Sequence, residues 1–358
     1  MQEKPIRIIV TGSIAYDYIM SFPGAFSDHI LPEKIDILSV SFLVDSLRRE
    51  PGGCAANIGY NLALLGERPS VMATVGPDFA GDRERLAASG VDTSLIHTVD
   101  DHFTASFFVS TDQKNCQIAS FYVGAMGAAS KLSLHALDGY GAAERTDRGA
   151  AKRTVHGAAE GPVHEAVAEP PVVIISPNAP EAMTKYVAEC KALGWPYIYD
   201  PSQQIVRLSG EELREGIAGS LVLMANEYEF ELIAEKTGLT VPAVLDLAQY
   251  LIITHGESGS AIYADGTRHS IPAVPPSALV DPTGVGDAYR AGIVFGLLHQ
   301  LPWPQAGRVA ALAATYALEV LGTQGHSYTP QAFLDRYQTS FGEVPPLLRQ
   351  RLGQHAEG

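Results

Sequence analysis

Positive charge is scarce in this sequence: 25 Lys and Arg stand against 40 Asp and Glu over 358 residues, a formal net charge of -15. Gripping nucleic-acid backbones or anionic membrane surfaces takes clustered cations, so neither partner is expected, and an anionic ligand needs a local pocket. Cysteine is scarcer still. Cys54, Cys116 and Cys190 form no CxxC pair and no Cys/His spacing suited to zinc, which fits a reducing compartment, the cytoplasm. No run approaches the roughly 20 apolar residues that a membrane helix needs. The short apolar run before Thr11 and Gly12 lacks the length and cleavage site of a signal peptide.

Several catalytic signatures are missing as well. The nearest approach to a Walker A loop, Gly76 to Gly81, is followed by Asp82 where a Lys is required. The dinucleotide fingerprint GxGxxG fails at Gly284 and Gly286 because Tyr289 takes the last glycine's place, and this turn lies too near the C-terminus to open the fold. Neither a GxSxG elbow nor an HExxH helix occurs. P-loop enzymes, nicotinamide dehydrogenases, serine hydrolases and zinc proteases therefore lose their main support.

What is present is alternation. Short β-rich runs at 6–10, 71–75, 172–175, 197–199, 221–224 and 251–254 are separated by helical patterns at 55–65, 180–193, 226–235 and 241–249. Strands alternating with helices imply an α/β fold with a mostly parallel sheet covered on both faces. A hydrophobic fraction of 46% is ample for that core. Residues 14–22, 36–48 and 103–123 break the pattern and read as a small, half-exposed antiparallel sheet, suited to a lid. Residues 138–171 are Ala/Gly-rich and charged, which reads as a mobile surface insertion because little apolar surface is there to bury.

The most informative stretch runs from Val280 to Leu297. Gly284 and Gly286 allow a tight turn, and apolar periodicity after Asp287 marks a helix that begins at once. Bare amides and the positive helix end make an anion site there, with Gly284, Val285 and Gly286 as donors. Asp287 would repel a phosphate bound beside it unless it takes a proton from a nucleophile approaching that phosphate, which points to phosphoryl transfer to an alcohol. On these residues alone, a simple helix cap serves as well. A second cluster, Pro51-Gly52-Gly53-Cys54-Ala55-Ala56-Asn57, lets a ligand lie against bare backbone, with the Asn57 amide offering both donor and acceptor; a ligand-free helix start is the alternative.

Together and in this order, GGCAANIGYNLALLG (52–66) and DPTGVGDAYRAG (281–292) resemble the two signatures of the ribokinase-like (PfkB) family of carbohydrate and nucleoside kinases. The resemblance implies one domain over 1–358, a three-layer α/β/α sandwich with a small β-sheet lid that often forms a homodimer interface. It implies ATP and Mg2+, with Asp287 as general base. Asp17, Gly52, Gly53 and Asn57 would hold the substrate, and Asn226, Thr254, Gly256, Gly259 and Gly322 would hold ATP. Glu229 would reach magnesium through water, and Asp281 and Thr283 would belong to a K+ site. Cys54 stands where ribokinase-type sugar kinases commonly carry Lys, and the runs 120–126, 200–204 and 322–328 are similar to bacterial adenosine-kinase-like members. Phe121 and Tyr122 offer an aromatic wall for a purine, or fill the lid's own core. The expected acceptor is therefore the 5′-OH of adenosine or a related nucleoside. A sugar kinase of the ribose or fructose type, or a ligand-binding member without catalysis, is the alternative.

Overall fold

The computed structural model describes residues 8–37, 39–137 and 170–353. Thirteen strands among these residues form two sheets. The large one contains β1 (Ile8–Thr11), β4 (Ser70–Val75), β5 (Ile96–Thr98), β8 (Val172–Ile175), β9 (Tyr197–Tyr199), β10 (Val222–Asn226), β11 (Tyr250–Thr254), β12 (Ser260–Ala264) and β13 (Thr267–Ile271). Their spatial order is β13-β12-β11-β10-β9-β8-β1-β4-β5. From β5 to β11 every pairing is parallel, and β12 and β13 close one edge as an antiparallel hairpin.

Ten α-helices accompany the strands among the described residues: α1 (Cys54–Leu64), α2 (Ala80–Ala88), α3 (Pro180–Leu193), α4 (Gly210–Ile217), α5 (Glu227–Thr237), α6 (Val241–Leu245), α7 (Val285–Leu298), α8 (Trp303–Leu318), α9 (Pro330–Phe341) and α10 (Pro346–Gly353). The central strands are apolar on both faces because each face meets a helical layer. Ile8, Val10, Ile174, Val222 and Met224 pack toward α1, α7, α8 and α9. Their neighbours Ile9, Val173, Ile175 and Leu223 pack on the other side against α3 and α4. Side chains of consecutive strand residues point to opposite faces, so one short run feeds both cores.

The small sheet holds β2 (Ala15–Ser21), β3 (Ser46–Gly52), β6 (Ala105–Thr111) and β7 (Gln117–Tyr122), in the order β3-β2-β6-β7. Two expectations are corrected here. The strand expected over 36–48 lies at Ser46–Gly52, so it leads directly into the first glycine pair. The sheet is also mixed: β2 pairs antiparallel with β3 but parallel with β6. β2 and β6 are joined through much of the large domain instead of by a hairpin, and such a connection delivers a parallel neighbour. The supposed insertion lies, over 138–169, outside the described residues.

Candidate active site

Helix α7 begins at Gly284, whose φ of +79° is the left-handed conformation that glycine adopts without strain. A Cβ there would also come within 2.9 Å of the Thr323 side chain. No side chain caps this helix. The first amides of this 14-residue helix thus form its positive end, with Asp287 as the one acidic residue of the first turn. Asp287 is the third helical residue and accepts no capping bond from its own helix, which removes the cap as its explanation.

Asp287 is 7% exposed. Asn57, in the first turn of α1, donates from Nδ2 to Oδ2 at 2.8 Å, and Arg290 Nη1 lies 3.7 Å from Oδ1. Burial pushes the Asp287 carboxyl above its ordinary range, opposed by the Arg290 charge and the Asn57 hydrogen bond. Arg290 is in turn gripped by Asp200 at the end of β9, with Nε and Nη2 2.5 and 2.7 Å from its two oxygens. Burial alone would lower the Arg290 pKa; the Asp200 and Asp287 carboxylates reverse that and hold it charged. Arg290 stands one turn beyond Asp287, a charge within an apolar stripe, and that signal was legible in the sequence without being read.

The small sheet supplies the facing wall. Asp17 on β2 sits between its register partners Glu50 and Phe107. Burial, then the nearby Asp281, Asp287 and Glu50 charges, push its carboxyl up to about 6. Gly52 lies beneath it, where a Cβ would be 2.7 Å from Oδ2. Gly53, at φ +91°, passes so close to the Ser13–Ala15 backbone that a Cβ would sit 2.5 Å from the Ser13 carbonyl oxygen. The result is a cleft of about 370 Å³ lined by Asp17, Asn57, Phe107, Phe121, Gln203 and Asp287, together with Gly53, Thr283 and Gly284.

Phe121 belongs to that lining and Tyr122 does not. Adjacent strand residues face opposite ways, and Tyr122 lies over Gly124 instead. The second ring of the cleft is Phe107, paired in register with Phe121 across β6 and β7. Phe107 lies within 103–123, read from the sequence as strand; which face met the cleft needed the sheet. Gln204, also in the lining, keeps its Oε1 buried with no protein partner.

Asn226, Glu229, Thr254, Gly256, Gly259, Asp281 and Gly322 lie outside the lining of this cleft. Asn226 and Thr254 are register partners at the C-terminal ends of β10 and β11. Asn226 caps α5, its Oδ1 accepting from the Glu229 amide at 2.8 Å while Glu229 Oε2 accepts from the Asn226 amide at 2.8 Å. Glu229 Oε1 accepts from the Ser202 hydroxyl at 2.8 Å. Gly256 and Gly259 both have positive φ in the loop after β11. Asp281 clasps two loops, Oδ1 accepting from the Thr283 amide at 2.9 Å and Oδ2 from the Gly322 amide at 3.0 Å. Among the described residues no group of three or more His, Cys, Asp or Glu gathers that could hold a metal ion directly. None of the three cysteines is in a disulfide.

Comparison with known proteins extends these observations to the whole chain. The sequence model for the pfkB family carbohydrate kinases matches residues 16–330. A nucleoside kinase of Methanothermobacter thermautotrophicus is 28% identical over 343 residues, covering 95% of this chain and 98% of the relative. The solved structure of a Burkholderia thailandensis nucleoside kinase with inosine superposes with a TM-score of 0.76 at 32% identity, over 94% of this chain and 99% of the other. The same enzyme with ADP-inosine gives 0.74 at 33% identity, over 94% and 97%.

Proposed function

This chain belongs to the pfkB family of carbohydrate kinases, and from that premise we propose that it transfers the γ-phosphate of ATP to the 5′-hydroxyl of adenosine or a closely related purine nucleoside. The observation that carries nucleoside over free sugar is the pair Phe107 and Phe121, which gives the cleft two rings in register on the wall that also bears Asp17. A base offers a π-face to such rings, and a free pentose does not. The whole-chain likeness to a nucleoside kinase solved with inosine supports the same reading.

In this mechanism Asp17 and the neighbouring glycines hold the ribose hydroxyls, and the unpartnered Gln204 Oε1 accepts from a substrate donor. Asn57 already spends its amide on Asp287, so it serves the base as well as the sugar. The acceptor hydroxyl gives its proton to the Asp287 carboxylate, which Asn57 and Arg290 hold in place from either oxygen. Its oxygen attacks the γ-phosphorus as the bond to the β–γ bridging oxygen breaks, and ADP leaves with that electron pair. Amides at Gly284, Val285 and Gly286 stabilise the equatorial oxygens, where the uncapped helix end lowers the energy of developing charge. Asn226, Thr254, Gly256, Gly259 and Gly322 flank the nucleotide.

Mg2+ supplies charge neutralisation on the phosphates when bound. Glu229, with both carboxylate oxygens already accepting hydrogen bonds, suits the hydration shell of such an ion better than its inner sphere. Asp281 and Thr283 would border a K+ site, tested by comparing rates in potassium and tetramethylammonium salts. The small sheet is the proposed lid, and its face away from the cleft is the proposed homodimer interface: Leu47 and Ile118 are exposed there, and Tyr18 stacks on Phe108 at 4.7 Å.

The deciding experiment measures ADP release with ATP and Mg2+ on adenosine, inosine, guanosine, cytidine, ribose and fructose. Purine nucleosides are expected to give the highest kcat/KM. Turnover of ribose or fructose with none of any nucleoside overturns the substrate assignment.

A further inference from the structure

Three side-chain hydrogen bonds lead in series from Asp287 toward the surface. Asn57 Nδ2 donates to Asp287 Oδ2 at 2.8 Å, Gln324 Nε2 donates to Asn57 Oδ1 at 2.9 Å, and Arg85 Nη2 donates to Gln324 Oε1 at 2.9 Å. Asn57 and Gln324 are both buried. The four residues come from four places in the chain: α7, α1, the loop after α8, and α2. An amide side chain has two ends alike in shape and opposite in polarity, so a buried amide faces whichever way its partners dictate. Arginine can only donate. Its guanidinium fixes the Gln324 carbonyl toward itself, which puts the Gln324 NH2 on the Asn57 carbonyl and leaves the Asn57 NH2 facing Asp287. Arg85 is steadied by Asp82, 3.3 Å from its Nε, and Asp82 also accepts from Tyr16 and Arg49 at 2.6 and 2.8 Å.

We propose that Gln324 and Arg85 are positioning residues for phosphoryl transfer: they orient the Asn57 amide so that its NH2, and not its carbonyl, meets Asp287 and supports the carboxylate that takes the proton. This rests on Asp287 as the base. The charged and titratable groups facing Asp287 are Arg290 on its own helix, Asp17 from β2, Asp200 from the end of β9, Glu229 from α5 and the Cys54 thiol from α1. Three of them are carboxylates, which favour the neutral acid, so whether Asn57 offers a donor or an acceptor matters to the form Asp287 takes.

Two variants separate orientation from mere support. Gln324→Glu keeps the size and the Arg85 contact but has no N–H for Asn57, so the Asn57 amide turns and sets its carbonyl against Asp287. Gln324→Leu removes both contacts and leaves Asn57 free to keep donating. The expected midpoint for Asp287 ionisation is lowest in the unsubstituted protein, higher in Gln324→Leu and highest in Gln324→Glu, the last by about one pH unit or more. The carboxylate added in Gln324→Glu also raises the midpoint by its charge, so the uncharged Gln324→Leu decides: a midpoint above that of the unsubstituted protein marks lost orientation, and an unmoved one overturns the relay. The midpoint is read by 13C NMR of labelled Asp carboxyls, with Asp287 assigned by its loss in Asp287→Asn, so the result does not depend on turnover. In parallel, kcat with ATP and inosine falls about tenfold in Gln324→Glu, its acid limb follows the NMR midpoint, and KM for ATP stays within about twofold. Arg85, partly exposed, gives the same test without burdening the core: Arg85→Met raises the midpoint and Arg85→Lys recovers it. A Gln324→Glu midpoint at or below that of Gln324→Leu, or an unmoved midpoint in Arg85→Met, overturns the relay. An unsubstituted protein that turns over no nucleoside overturns the proposed substrate alone, since the NMR order stands or falls by itself.

Discussion

As the proposed base, Asp287 meets two opposed demands: it must be ionised to accept a proton, and its burial favours the neutral acid. Asp287→Asn should lower kcat by roughly 10²–10⁴ while leaving the Kd for ATP little changed, measured by steady-state kinetics and calorimetry. Because the Asp287 pKa is raised, the base is lost as pH falls through a value above the usual carboxylate range, so kcat should climb with pH and then level off. Asp17 makes a matching prediction for stability. Its folded pKa of about 6 exceeds the unfolded 3.8, so the native state holds the extra proton between them, and stability falls as pH rises through that window. Asp17→Asn should leave the unfolding midpoint at pH 4 nearly unchanged and raise stability at pH 7.5 by on the order of 1–2 kcal/mol, while raising KM for the substrate. Asn57, Gly284 and Asp287 stood out in the sequence because each sits in a glycine motif, whereas Asp17 and Phe121 were reached only through the family resemblance. Gln324 lies in the run 322–328 that the resemblance marked, but nothing there pointed to Asn57, and Arg85 carried no signal; the two are 239 residues apart, and only the fold brings them together.

Local sequence placed most elements of the large sheet, since a run such as Val172–Ile175 is bounded by turn residues and buried on both faces. It misplaced β3, because Ser46–Gly52 is polar and charged over most of its length and owes its strand to pairing with β2. Two predictions belong at this scale. Gly53→Ala must hold φ near +91° with its Cβ against the Ser13 carbonyl, and should destabilise by about 2–4 kcal/mol, seen as a lower denaturant midpoint. Asn226→Ala removes one half of the capping box on α5 and should cost about 1 kcal/mol by the same measurement, with a larger loss in kcat than in stability if Glu229 is thereby released.

For the molecule as a whole, alternation of strand and helix was enough to foresee a parallel sheet between two helical layers, whereas strand order and the mixed small sheet were not, because they depend on contacts between distant segments. The face of the small sheet away from the cleft yields a prediction for assembly. Phe108→Asp, at a half-exposed position stacked on Tyr18, should shift sedimentation from dimer to monomer with the fold retained; an unchanged, concentration-independent monomer before and after substitution would remove the proposed interface. One feature of the architecture ties this sheet to the chemistry. β3 and α1 are a single unbroken length of chain that turns at Gly52 and Gly53, and Asn57 lies just beyond the turn with its hydrogen bond to Asp287. Mechanically this is a lever on a fulcrum: the sheet is the long arm, the first turn of α1 the short one. Were the small sheet to swing as the proposed lid, its movement would reach Asp287 through Asn57, so a rigid link introduced across the Gly52–Gly53 turn should lower kcat more than it changes the affinity for ATP.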